Sequence, residues 1–89
     1  MQSVVTAIKD QVSCDLQGEA VILNFDSGVY YGLNQVGAYV WELIQQPRPV
    51  SEILFMVLDE YDVGADRCEN DLIVLLKDLK GAGLIHVEG

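Results

Sequence analysis

Eighty-nine residues make one small domain with a modest core, too small for a domain plus a deep enclosed catalytic cleft. Apolar residues make up 51% of the chain, which excludes a disordered segment despite the formal charge of -9; fourteen acidic against five basic residues repel phosphate backbones, so no nucleic acid is expected as a partner. Apolar runs such as residues 72–76 fall far short of the ~20 residues of a membrane span and no secretory pattern opens the chain, so a cytoplasmic protein with no membrane partner is expected.

The first ten residues carry the weakest pattern and are expected to be partly mobile. Residues 12–16 read as a first strand, Gln17, Gly18 and Glu19 as a turn, and residues 20–25 (AVILNF) as a second strand. Asp26, Ser27 and Gly28 then suit a three-residue hairpin loop with Gly28 in the left-handed conformation. That loop pairs Phe25 with Val29, Leu23 with Tyr31 and Val21 with Leu33, an all-apolar face. A two-residue loop would mix apolar and polar groups on both faces. In the favoured register Tyr31 points to the core, while Tyr30 shares the other face with Asn24, Ile22 and Gly32.

Asn34 is a good N-cap for a first helix, with Val36, Val40, Leu43 and Ile44 at helical spacing and Tyr39 and Trp41 flanking. Pro47 ends it, and QPRP at 46–49 is a rigid elbow. Ser51 is expected to cap a second helix with Ile53, Val57 and Tyr61 as its core stripe and Phe55 on nearly the opposite side. Asp66 to Glu69 has the spacing of a capping box and opens the longest helix, which ends near Gly81 or Gly83 before a strand-like tail, LIHVE. In that helix Leu72, Leu75, Leu76 and Leu79 face the core. Asp71 and Asp78 lie on one shoulder and Val74 on the back. So much apolar surface implies either two packed neighbours or a groove kept for a partner. The expected fold class is α+β, a winged helix-turn-helix with an N-terminal three-stranded antiparallel sheet followed by three helices, in one domain spanning the chain. A meander of the three strands leaves residues 29–33 at the sheet edge.

Enzymatic constellations are missing from the sequence. His86 reads as a surface strand residue rather than a general base, and no nucleophile elbow, phosphate loop or metal-binding helix motif occurs, so neither catalysis nor a cofactor is expected. Cys14 and Cys68 lie far apart without a Cys-x-x-Cys or histidine pair. Buried free thiols are the expectation, with a cross-link left open. An acidic carrier protein would need its serine at a helix start, whereas the Asp26-Ser27 pair sits in a hairpin turn. A DNA-reading helix would need Arg, Lys and Asn where the third helix has acids. Peptide capture by strand addition remains. Val29, Tyr30, Tyr31, Gly32 and Leu33 would supply the ladder, Val74 and Leu75 with Tyr30 an apolar pocket, and Asp71 and Asp78 a place for a Lys or Arg of the peptide. Phe55 either docks a partner enzyme or packs on the elbow.

The stretches VILNFDSGVYYGLNQVGAYVWELI, PVSEI, EYDV and DLIVLLKDLKGAGLI resemble the PqqD-like domains, also called RiPP recognition elements, over residues 12–85. The resemblance implies a winged helix-turn-helix that holds the leader segment of a ribosomally made precursor peptide against its third strand and third helix, here residues 29–33 and 71–82. Because the chain ends soon after Val87, a discrete subunit is expected, and for that form the resemblance implies a separate leader-cleaving cysteine protease as partner in a lasso peptide pathway. The alternative is a peptide chaperone for a radical SAM enzyme, as in pyrroloquinoline quinone biosynthesis. The Tyr-Tyr-Gly-Leu-Asn wording is closer to the lasso group, whose leaders would carry Tyr-x-x-Pro.

Overall fold

Alternation along residues 19–24 sets the layering of the molecule. Ala20, Ile22 and Asn24 are buried, whereas Val21 and Leu23 between them are only half-buried, so one face of this strand meets the core and the other looks outward. The computed structural model describes residues 3–9, 11–16 and 19–88. Their elements run β1 (Val4–Ala7), β2 (Gln11–Leu16), β3 (Glu19–Asn24), β4 (Tyr30–Leu33), α1 (Gln35–Leu43), β5 (Arg48–Pro49), α2 (Val50–Glu60), α3 (Ala65–Gly81) and β6 (Ile85–Glu88). The strands form two antiparallel three-stranded sheets, ordered β2-β3-β4 and β5-β1-β6, with three helices completing an α+β fold.

The meander β2-β3-β4 is the expected one, and Gly28 has the expected positive φ of 73°. The register differs by one residue. Ile22 pairs with Tyr31 and Leu23 with Tyr30, which leaves a four-residue loop at 25–28. The pairs Phe25 with Val29, Leu23 with Tyr31 and Val21 with Leu33 therefore do not form, β3 shows its other face to the core, and Phe25 is exposed.

Asn24 is the reason. It is buried at 4% exposure, with its Oδ1 accepting the amides of Asp26 at 2.9 Å and Ser27 at 3.4 Å and its Nδ2 donating to the carbonyls of Gly83 at 3.1 Å and Ala82 at 3.5 Å. A satisfied amide costs little to bury, so the inner face accepts an asparagine that apolar pairing alone would turn outward. Gly83, at φ 73°, closes α3 as a left-handed residue and brings its carbonyl to this amide.

The helices follow their apolar spacing. Val40, Trp41 and Ile44 from α1 and its C-cap, Ile53 and Val57 from α2, and Cys68, Leu72, Leu76 and Leu79 from α3 are buried together with Ile22 and Leu84. Each fully buried aliphatic side chain contributes about 1.5–3 kcal/mol of transfer free energy. Asn34 caps α1 by accepting from the Gly37 amide at 2.9 Å. The other two caps are misplaced by the sequence reading. Pro49 and Gly64, not Ser51 and Asp66, occupy the N-cap positions of α2 and α3, and neither makes a side-chain cap bond. With the φ-restricted Pro49 as its N-cap, α2 starts two residues earlier than expected, and Asp66 falls in the first turn of α3, where its charge still favours the helix N-terminus.

Of the second sheet only the strand-like tail was legible, and it forms β6. Val4–Ala7 lies between β5 and β6, buries Val5 and Ala7, and pairs Val5 with Val87 and with Arg48. The elbow is thus also a strand, with the Arg48 guanidinium donating to the Leu43 carbonyl at 2.6 Å and to Glu52 at 2.9 Å. Of the two thiols Cys68 is buried and Cys14 is exposed on β2, so the expectation of two buried thiols fails for Cys14. Gln17 and Gly18 of the expected turn lie outside the described residues, and Glu19 belongs to β3.

Candidate functional site

Among the described residues β4 pairs only with β3, so one side of its backbone has no strand beside it. The Asn24 amide donates to the Val29 carbonyl at 3.0 Å, which makes Asn24 and Val29 a hydrogen-bonded pair. In an antiparallel ladder such pairs alternate, so Tyr31 and Leu33 also face β3 with their N–H and C=O groups. Tyr30 and Gly32 turn theirs to the open edge. A Cβ placed on Gly32 would meet nothing within 4 Å, so the edge is unobstructed there.

Tyr31 crosses from this strand to α3, its hydroxyl donating to Asp78 Oδ2 at 3.4 Å. Burial pushes the phenol above its ordinary value of 10.0, and the Asp78 charge and hydrogen bond add to the rise. Beyond the end of β4 a cleft of about 240 Å³ opens between α1, the end of α2 and α3. Val36, Tyr61, Val63 and Leu75 give it apolar walls, while Arg67 and Asp71 stand at it as an exposed ion pair 3.8 Å apart. Cys68 also lines it, its thiol pushed up by burial and then by the Asp71 charge.

The structure thus brings Tyr31 and Asp78 into contact and puts Asp71 and Leu75 at one cleft. Val74 is 49% exposed on α3, and Val29 is exposed just before β4. Leu33 is buried core, available to a peptide through its neighbours only. Tyr30 is 70% exposed, but its side chain shares the outer sheet face with its partner Leu23. Its expected place in the strand–helix pocket is therefore corrected, because neighbouring strand residues project to opposite faces and Tyr31 takes the α3 side. Phe55 is 71% exposed on α2 and does not line the cleft, although Val57 two residues on does. The sequence reading missed Val36, Tyr61, Val63, Arg67 and Cys68. Only the approach of three helix ends unites them, although Arg67 and Asp71 at i,i+4 is a readable pair. No group of three or more metal-ligating side chains occurs among the described residues, and no helix there is long and apolar enough to cross a membrane.

Fold and site together define a small α+β module in which the open edge of β4 has a helix beside it and an apolar cleft at its end. Residues 19–85 match the family model for coenzyme PQQ synthesis protein D (PqqD). The chain belongs to the PqqD family. It is similar to a solved structure described as TbiB1 in complex with the TbiA(beta) leader peptide, with 30% identity, a TM-score of 0.81, and coverage of 91% of this chain and 94% of that one. It also has the fold of a lasso peptide synthetase B1 complexed with its leader peptide, at 21% identity, a TM-score of 0.76, and coverage of 92% and 96%. No curated protein matches the chain significantly.

Proposed function

We propose that this protein is a non-catalytic recognition module of winged helix-turn-helix type that binds the leader segment of a ribosomally made precursor peptide and delivers it to a maturation enzyme. The observation that carries the reading is the open edge of β4 beside α3, with the amides of Tyr30 and Gly32 directed away from β3. An extended leader added there completes a fourth strand, and its alternate side chains reach α3 and the cleft. Affinity comes from the ladder and from filling the apolar walls; Val74, Leu75, Asp71 and Asp78 set preference. Similarity to a leader-bound protein at 30% identity supports leader binding, and the reading extends to a lasso peptide pathway, with a separate leader-cleaving cysteine protease as the enzyme. Phe55 offers that enzyme an exposed aromatic.

Titration calorimetry with a synthetic leader of the precursor encoded beside this chain tests the reading. Saturable binding is expected, roughly three- to tenfold weaker in Asp71→Lys at unchanged circular dichroism. No binding by a natively folded chain would overturn it. Unchanged affinity in the variant would remove Asp71 from the site.

A further inference from the structure

Asp71 and Asp78 are both exposed on α3, yet their surroundings differ. Asp71 has Arg67 four residues before it at 3.8 Å. Around Asp78 the helix neighbours at i−4, i−3 and i+3, with the C-cap residue at i+4, are Val74, Leu75, Gly81 and Ala82, so no cation stands where one could reach it along the helix. Lys77 and Lys80, at i−1 and i+2, project elsewhere. The ion pairs among the described residues, Arg48 with Glu52 and Arg67 with Asp71, leave Asp78 out. Its side-chain contact is the neutral hydroxyl of Tyr31, at the long limit of a hydrogen bond. Asp78 also lies in the last turn of α3, where the helix dipole disfavours a negative charge. Proteins break such local rules mainly at functional sites, which singles Asp78 out for a role in binding.

Tyr31 belongs to the open strand, so Asp78 faces the channel in which an added strand would run. We infer that the captured peptide carries a lysine or arginine that pairs with Asp78, two or four residues from the bulky apolar side chain that fills the cleft. This rests on the peptide-capture reading above. The spacing comes from the scaffold. Asp71 at the cleft and Asp78 are seven residues apart on α3, about 10 Å along the axis at 1.5 Å per residue. The strand gives the same measure, since Asn34 lines the cleft and Tyr31 marks Asp78 three residues earlier. A peptide strand advances about 3.3 Å per residue and sends alternate side chains to one face, so two side chains that both turn toward α3 stand an even number apart. Two or four residues, with the reach of a long basic side chain, span the distance; three would turn the cation to the outer face.

Selection of phage-displayed random twelve-residue peptides on the intact protein tests this, run in parallel on Asp78→Asn and Asp71→Asn. Asparagine at 78 keeps an acceptor for Tyr31 and removes only the charge, and equal circular dichroism melts establish that all three proteins are folded. The expected peptides from the unsubstituted protein combine a bulky apolar residue with Lys or Arg at even spacing. The basic preference disappears on Asp78→Asn and persists on Asp71→Asn, and a selected peptide resynthesised for titration binds Asp78→Asn roughly three- to tenfold more weakly. Apolar peptides without a basic residue, or a basic preference that survives Asp78→Asn, would overturn the pairing and leave peptide capture standing. Enrichment of no peptide at all would overturn both.

Discussion

The two sheets have the same number of strands and opposite treatments of their edges. In β5-β1-β6 the central strand buries Val5 and Ala7, and the flanking strands carry edge protection: Arg48 and Pro49 on β5, His86 and Glu88 on β6. Charges and proline at an edge discourage another strand from adding. In β2-β3-β4 the outer strand β4 reads YYGL, with no charge, no proline and a glycine that leaves the backbone bare. The first sheet fastens the beginning of the chain to the elbow and the tail; the second offers a surface. Among the edge strands β5, β6, β2 and β4, only β4 carries neither a charged residue nor proline, which is what the proposed strand addition requires.

The largest expected effect falls on that difference. Tyr30→Pro removes an N–H that points away from β3, so the intramolecular ladder keeps its bonds while an added peptide loses a donor and meets the proline ring. Leader binding by calorimetry should drop below detection with a thermal midpoint close to that of the unsubstituted protein. Tyr31→Pro instead removes a donor used within the sheet and should lower the midpoint itself. If the two variants behave alike, the assignment of inward and outward amides is wrong.

A smaller effect is expected at the joint between the sheets. Asn24 links the β3–β4 loop to Ala82 and Gly83, the segment that leads into β6. Asn24→Ala strands the amides and carbonyls it served and should cost about 1–3 kcal/mol in urea unfolding. Since the side chain also fixes the four-residue loop, the variant's leader affinity should fall more than its fold is disturbed at neutral pH.

Asn24 also shows what the sequence could and could not say. The three strands of the meander, the strand-like tail, the left-handed Gly28, the Asn34 cap, the leucine stripe of α3 and the open edge were legible, because each follows from local periodicity or turn chemistry. The β3 register was not, since the bonds that make a buried asparagine acceptable come from residues 82 and 83, at the far end of α3. Strand β1 escaped for a similar reason, as four residues become a strand only when β5 and β6 supply their partners. At the site, Tyr31, Asp71, Leu75 and Asp78 were found from one helix face and one strand face. Tyr61, Val63 and Cys68 come from other turns of the chain, and only packing gathers them.

The smallest effect concerns the pH response of two half-buried phenols. Tyr31, in the channel beside Asp78, and Tyr61, at the end of α2 with its ring edge-on to Tyr39 at 5.6 Å, both have pKa values raised from 10.0, burial being the first cause in each. The folded chain therefore holds these protons after the unfolded chain has released them. Below pH 10 both states are protonated and these phenols add no pH dependence; as pH rises from about 10 through the folded values, the unfolded state gains and stability declines. Urea midpoints between pH 9 and 11.5 should fall less steeply in Tyr31→Phe and in Tyr61→Phe than in the unsubstituted protein. The two variants part at neutral pH in peptide binding. Tyr31→Phe takes from Asp78 its hydroxyl donor and leaves the carboxylate freer for a cation of the peptide, so peptides bearing Lys or Arg should bind it as well as or better than the unsubstituted protein; weaker binding would mean that the Tyr31 hydroxyl itself touches the peptide.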